Sequence, residues 1–183
     1  MKIFRASIIA LFLVLLAVSG TLAEPQSYSF AAIKANGAWD KAKIDDREAI
    51  ITDKAKANAY IKIEVPQDGI YQLYIGLYHN WRKFCPYLYV EAVDSNRKKF
   101  SGYVYSEPRW YMEKGQGRWE FRSPSATPFW RLTKGEMKIK FWLVAMNSCW
   151  EHKEVEVEDL VAVDEFVLIP FNENTRIQYN IIR

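Results

Sequence analysis

Residues 59–78 read Ala59-Tyr60-Ile61-Lys62-Ile63-Glu64-Val65-Pro66-Gln67-Asp68-Gly69-Ile70-Tyr71-Gln72-Leu73-Tyr74-Ile75-Gly76-Leu77-Tyr78. In the first seven, Ala59, Ile61, Ile63 and Val65 alternate with Tyr60, Lys62 and Glu64. A period of two places these sets on opposite faces of a strand, one for a core and one for water. Pro66-Gln67-Asp68-Gly69 then interrupts the pattern with turn residues. The run that follows is rich in Tyr, Ile and Leu, which suit a pleated, half-buried surface.

The same grammar recurs outward from this stretch. Tyr87 to Val93 reads as a strand, Asp94-Ser95-Asn96-Arg97 as a turn, and Lys99 to Ser106 as extended chain. Between Met137 and Val144, Met137, Ile139, Phe141 and Leu143 face one way, and Lys138, Lys140 and Trp142 the other. Val161 to Ile169 makes a last core strand and stops at Pro170. The stretch from Glu107 to Phe129 holds Pro108, Pro124, Pro128, Gly115 and Gly117 and is expected to be irregular. Any helix is short and is expected between Asp40 and Asn58. The run Glu151 to Asp159 reads as a solvated strand or hairpin arm. Eight or so strands at this spacing, with no linker or repeat, predict an all-β fold, a β-sandwich.

The chain has 183 residues, half of them hydrophobic and 15% aromatic, which argues against disorder and suits one domain. Lys2 and Arg5 precede the apolar run from Ile8 to Val18, and small residues end at Ala23. That pattern predicts a secretory signal peptide over residues 1–23 and a secreted or periplasmic protein. The run is shorter than the roughly 18 apolar residues of a membrane span, and no other segment is a candidate. A single β-sandwich domain is then expected over 24–183, with core strands at roughly 59–170. Lys2 and Arg5 leave with the leader, so 25 basic residues become 23 against 22 acidic ones. Such a balance gives no general attraction for nucleic acid or an anionic membrane.

Cys85 and Cys149 are the two cysteines, and an exported protein is expected to join them in a disulfide. Closing a 64-residue loop stabilises by roughly 4 kcal/mol in the chain-entropy model. His79 and His152, the two histidines, stand near them, so a Cys2His2 metal site is the alternative. A bridge brings two loops to one end of the domain. The first is Tyr78-His79-Asn80-Trp81-Arg82-Lys83-Phe84-Cys85, the second Asn147-Ser148-Cys149-Trp150-Glu151-His152.

Three stretches carry a resemblance. Val65-Pro66-Gln67-Asp68-Gly69-Ile70-Tyr71-Gln72-Leu73 enters a core strand through a turn glycine. Trp130-Arg131-Leu132 is followed by Gly135-Glu136-Met137-Lys138-Ile139, and Val163-Asp164-Glu165-Phe166-Val167-Leu168 closes the set. Their order is similar to that of the jelly-roll carbohydrate-binding modules of the galactose-binding-like superfamily. The resemblance implies a jelly-roll β-sandwich and a sugar ligand. Many such modules also hold a structural calcium between an acidic pair in the opening strand and an aspartate in the last. Asp164 matches the aspartate, but the opening Gln26-Ser27-Tyr28-Ser29-Phe30 has no carboxylates, so calcium has no support beyond the resemblance.

The expected ligand site is the loop rim. A pyranose packs its C–H face on an indole and needs directional partners for its hydroxyls. Trp81 and Trp150 are candidate platforms, with Trp110 or Trp119 as a further wall, and Asn80, Asn147, His79, Arg82 and Glu151 are candidate polar partners. In the similar modules an asparagine before the last strands often serves, and Asn147 sits at a matching place. The opposing reading packs Trp81 and Trp150 on the disulfide as core plugs. Trp39, Trp130 and Trp142 read as structural, although Trp142 falls on the lysine face.

The chain contains no Gly-x-Ser-x-Gly, no His-Glu-x-x-His, no phosphate loop and no dinucleotide turn. Glu107, Glu113, Glu120 or Glu151 with Tyr105 or Tyr111 are the residues a small glycosidase or lyase would use. The pattern favours a secreted, lectin-like, non-catalytic carbohydrate-binding protein for an oligo- or polysaccharide. The alternatives are an exported module that contacts a surface protein, since aromatic and Arg loops also make protein hot spots, and a small polysaccharide-degrading enzyme. Thiol titration of the unfolded, unreduced protein is expected to find neither Cys85 nor Cys149 reactive. Two free thiols would instead favour the metal site.

Overall fold

The computed structural model describes residues 24–35, 37–80, 87–105, 117–125, 128–144 and 160–171. The described strands are β1 (Gln26–Ser29), β2 (Ile33–Ala35), β3 (Asp40–Ile44), β4 (Arg47–Thr52), β5 (Asn58–Val65) and β6 (Gly69–His79). They continue as β7 (Tyr87–Val93), β8 (Lys99–Tyr105), β9 (Arg118–Arg122), β10 (Phe129–Leu132), β11 (Gly135–Val144) and β12 (Val161–Pro170). A seven-stranded sheet runs β10-β6-β12-β4-β3, with β9 also on β6 and β1 also on β12. A five-stranded sheet runs β2-β5-β11-β7-β8. All pairs are antiparallel, and the two sheets make the β-sandwich that the alternating pattern implied, in the jelly-roll form that the resemblance implied.

The inner faces follow the period of two. Ile61 and Ile63 on β5, Leu73, Ile75 and Leu77 on β6, and Ile139, Phe141 and Leu143 on β11 are all buried between the sheets. Phe141 takes the edge of Trp39 at a centroid distance of 5.6 Å and packs on Phe166 at 5.2 Å. Trp130 stacks on Phe100 at 5.4 Å. Trp39 and Trp130 are thus core residues, as read from the sequence. β5 and β6 lie in different sheets, so the Pro66–Asp68 turn carries the chain across the sandwich.

Two expectations are corrected. The stretch between Asp40 and Asn58 is a β-hairpin, not a short helix. Asp45 and Asp46 make its two-residue turn with φ of 49° and 67°, a left-handed turn that matches strand twist and that Asp tolerates. The β-branched run Ile50-Ile51-Thr52 then pairs with β12. The stretch expected to be irregular contains β9, which pairs with β6 from Ile75 to His79. In addition, strands begin well before residue 59, because β1 pairs with β12 and β2 with β5.

The sandwich has two unlike ends. At one end the turns are short and tied together. The Asp68 carboxylate accepts the Lys134 N–H at 2.7 Å, and Ser95 Oγ donates to the Lys134 carbonyl at 2.7 Å. Asp94 caps its own turn by accepting from the N–H groups of Asn96 and Lys98, at 3.0 and 2.8 Å. The opposite end carries the long connections. Truncating Phe141 to Ala is expected to cost about 3–5 kcal/mol in urea unfolding, since it empties the centre of the core. Exposed Arg131→Ala is expected to stay within about 0.5 kcal/mol of wild type.

Candidate functional site

The pairing registers place three strand ends side by side in each sheet at the second end. His79 pairs with both Val161 and Arg118, and Tyr87 with both Tyr105 and Val144. The segments 81–86, 106–116 and 145–159 start and finish at these strand ends. Trp81, Arg82, Cys85, Trp110, Asn147, Cys149, Trp150, Glu151 and His152 lie outside the described residues, as does the expected hairpin arm at 151–159. The disulfide and the Cys2His2 alternative therefore fall there too. Strand register brings the flanking ends together independently of any bridge.

His79, Asn80 and Trp119 are described. His79 is the last residue of β6 and faces inward with no exposed surface. The imidazole is therefore buried at the end of β6, just below the strand ends that flank the rim segments. Its Nε2 lies 3.8 Å from Glu120 Oε1. Asn80 is half-buried, with Oδ1 unbonded among the described residues. Trp119 leans on Tyr78 at a centroid distance of 5.5 Å, and the Arg47 guanidinium lies 5.2 Å from its ring centre.

Strand β9 inverts the usual rule for polar residues. Its register sets Arg118, Glu120 and Arg122 opposite His79, Leu77 and Ile75, so the charged set faces between the sheets while Trp119 and Phe121 face out. Such burial is tolerable only with partners. The Glu120 carboxylate supplies them, taking Arg122 Nε at 2.7 Å and Nη2 at 2.6 Å and pairing with Arg118. Only 7% of the Glu120 side chain is exposed. That carboxylate is held between two guanidiniums of its own strand. Composition alone reads Arg118-Trp119-Glu120-Phe121-Arg122 with its charges outward; their inward aim is legible only from the pairing with β6.

The outer face of the five-stranded sheet carries a feature that loop reading missed. Register aligns Tyr103, Tyr89, Trp142 and Asn58 in one cross-strand row, with Tyr105, Tyr87 and Val144 in the next row toward the rim. Tyr103 lies 5.0 Å from both Tyr87 and Tyr89, and Tyr89 lies 4.7 Å from Trp142. Lys140 Nζ sits 5.1 Å from the Trp142 ring centre and Lys138 Nζ 4.6 Å from that of Tyr60. These rings share strand parity with Lys and Glu, the solvent set, and that parity was the available signal. Among the described residues no three His, Cys, Asp or Glu side chains group closely enough to hold a metal ion.

No protein-family model matches the chain, and no curated protein matches it. Solved structures do share its fold. A family 35 carbohydrate-binding module from Clostridium thermocellum aligns with a TM-score of 0.53 at 13% identity, over 81% of this chain and 100% of that one. A mosquito-larvicidal toxin from Bacillus thuringiensis aligns with a TM-score of 0.53 at 9% identity, over 81% of this chain and 24% of the toxin. An insecticidal crystal protein gives 0.53 at 8% identity, over 80% of this chain and 21% of its own. The chain is a jelly-roll β-sandwich of the architecture that carbohydrate-binding modules use.

Replacing Glu120 by Ala is expected to leave Arg118 and Arg122 facing each other without a shared anion. The loss in denaturant unfolding should be about 2–4 kcal/mol. Glu120→Gln, which keeps the hydrogen-bond acceptor, is expected to lose less.

Proposed function

We propose that the protein is an exported, non-catalytic carbohydrate-binding protein. The aromatic row on the five-stranded sheet, continuous in register with the strand ends at the rim, is the observation that carries this reading. Rings held in place by one another lose little freedom on binding, and their apolar surface suits the C–H face of a pyranose. Asn58 at the end of the row and the lysines beside it supply donors for hydroxyls or acidic substituents. Trp81, Trp150, Trp110, Asn147, Arg82 and Glu151 are the residues proposed to complete the site at the rim, with Asn80 at its base, whereas Trp119 stands on the outer face of the other sheet. The shared fold with a carbohydrate-binding module is consistent with this role and supports it at the level of architecture.

The reading is tested on a glycan array and a panel of soluble polysaccharides. Trp142→Ala or Tyr89→Ala is expected to weaken binding about tenfold or more while unfolding stays cooperative. Trp81→Ala or Trp150→Ala should do the same if sugar also meets the rim. A protein that binds no glycan but captures a surface protein through these rings would be an interaction module instead. Release of reducing ends or unsaturated products from the panel would make it an enzyme.

A further inference from the structure

The calcium that the resemblance implies does not fit the residues this chain provides. Asp164 is in the expected place on β12, at the point where the register shifts between Val163 and Phe166. The residue is 8% exposed, and Oδ1 points at Gly76 so closely that a Cβ there would collide with it. Burial pushes the Asp164 carboxyl above the ordinary aspartate range, although the hydrogen bond from Arg47 pulls it back. A carboxylate in this position calls for a cation. The cation on the page is Arg47, whose Nη1 donates to Oδ2 at 3.0 Å.

Asp164 Oδ1, turned onto Gly76, is buried with no hydrogen-bond partner among the described residues, while two neighbouring groups are already engaged. β1 offers hydroxyls where a calcium site would have carboxylates, and Ser27 Oγ donates to Glu165 Oε2 at 2.6 Å. Asp46 pairs with Lys43 at 2.9 Å. The cleft of about 550 Å³ around these groups is lined by four carboxylates, Asp46, Glu48, Asp164 and Glu165, and by two cations, Lys43 and Arg47, yet among the described residues no three acidic groups gather closely enough to hold a metal ion. A calcium ion wants six to eight oxygen ligands, and a guanidinium on the central carboxylate both repels it and occupies a ligand.

We infer that the Arg47 guanidinium takes the place of the structural calcium, and that the fold is held at this point without the ion. From the hairpin turn of β3 and β4 it reaches Asp164 on β12 and the face of Trp119 on β9, so one side chain ties three strands of the seven-stranded sheet. A divalent ion bridges carboxylates from different strands. Here a planar cation carried by the chain bridges a carboxylate and an indole.

Thermal unfolding of the purified protein in EGTA and in millimolar calcium chloride tests this. The transition is expected at the same temperature in both, within about 1 °C. Arg47→Ala is expected to lower it by roughly 5–10 °C, with Arg47→Lys in between because the ammonium keeps charge but not the fork. An Arg47→Ala protein too unstable to purify agrees with the inference, and the wild-type arm still decides. A wild-type transition raised several degrees by calcium, or an Arg47→Ala variant as stable as wild type, would overturn it. Neither readout depends on sugar binding, so the outcome is separate from that of the proposed function.

Discussion

The antiparallel ladder between β6 and β12 is the element on which the other placements depend. β6 carries β10 and β9 along one edge, and β12 carries β1 and β4 along the other. Their register is regular from Leu73 to Ile75 and again from Leu77 to His79, and shifts between. At the shift Asp164 and Glu165 stand opposite Gly76, where only a hydrogen leaves room for the Asp164 carboxylate. The bulge therefore does two things at once. It keeps Val163 and Phe166 on the core face, and it aims an acidic pair outward toward β1 and the β3–β4 turn.

Charge in this molecule is placed by pairing geometry more than by composition. Asp164 meets Arg47 on the outer side of the seven-stranded sheet, while Glu120 is flanked by Arg118 and Arg122 on the inner side of the same sheet. The first joins β4 to β12 within the sheet, whereas the second lies along β9 alone. Neither is strong evidence for added stability by itself, since desolvation opposes the Coulomb gain. The first fixes how β4 sits against β12, and a slip of one residue in β9 would send three charges to solvent and two aromatic rings inward.

The aromatic share of the composition divides along the same lines. Trp39, Trp130, Phe141 and Phe166 fill the space between the sheets, whereas Tyr87, Tyr89, Tyr103 and Trp142 gather outside it. The outer group is contributed by three strands, β7, β8 and β11, and is assembled only when those strands pair. It lies next to the strand ends at the rim, so aromatic surface runs from there down the sheet.

Local pattern was sufficient for much of the fold. Alternation in 59–65, 87–93 and 137–143 placed the strands and their inner faces, and the turn at Pro66–Gly69 and the last strand at Val161–Ile169 stand where the pattern put them. Those readings succeed because a side chain's face on a strand depends on parity alone. The Asp45-Asp46 turn was missed because a left-handed pair of aspartates carries a weaker local signal than Asn-Gly or Asp-Gly. The inward charges of β9, the Tyr–Trp row and the Arg47–Asp164 pair were out of reach for a different reason. Each joins residues from separate strands, 117 positions apart in the last case, and nothing in either neighbourhood records the other. The sequence by itself determined a β-sandwich with its core faces. Tertiary structure decided which rings meet on the surface and which cation meets Asp164, because cross-strand register is a property of the paired sheet and not of any one strand.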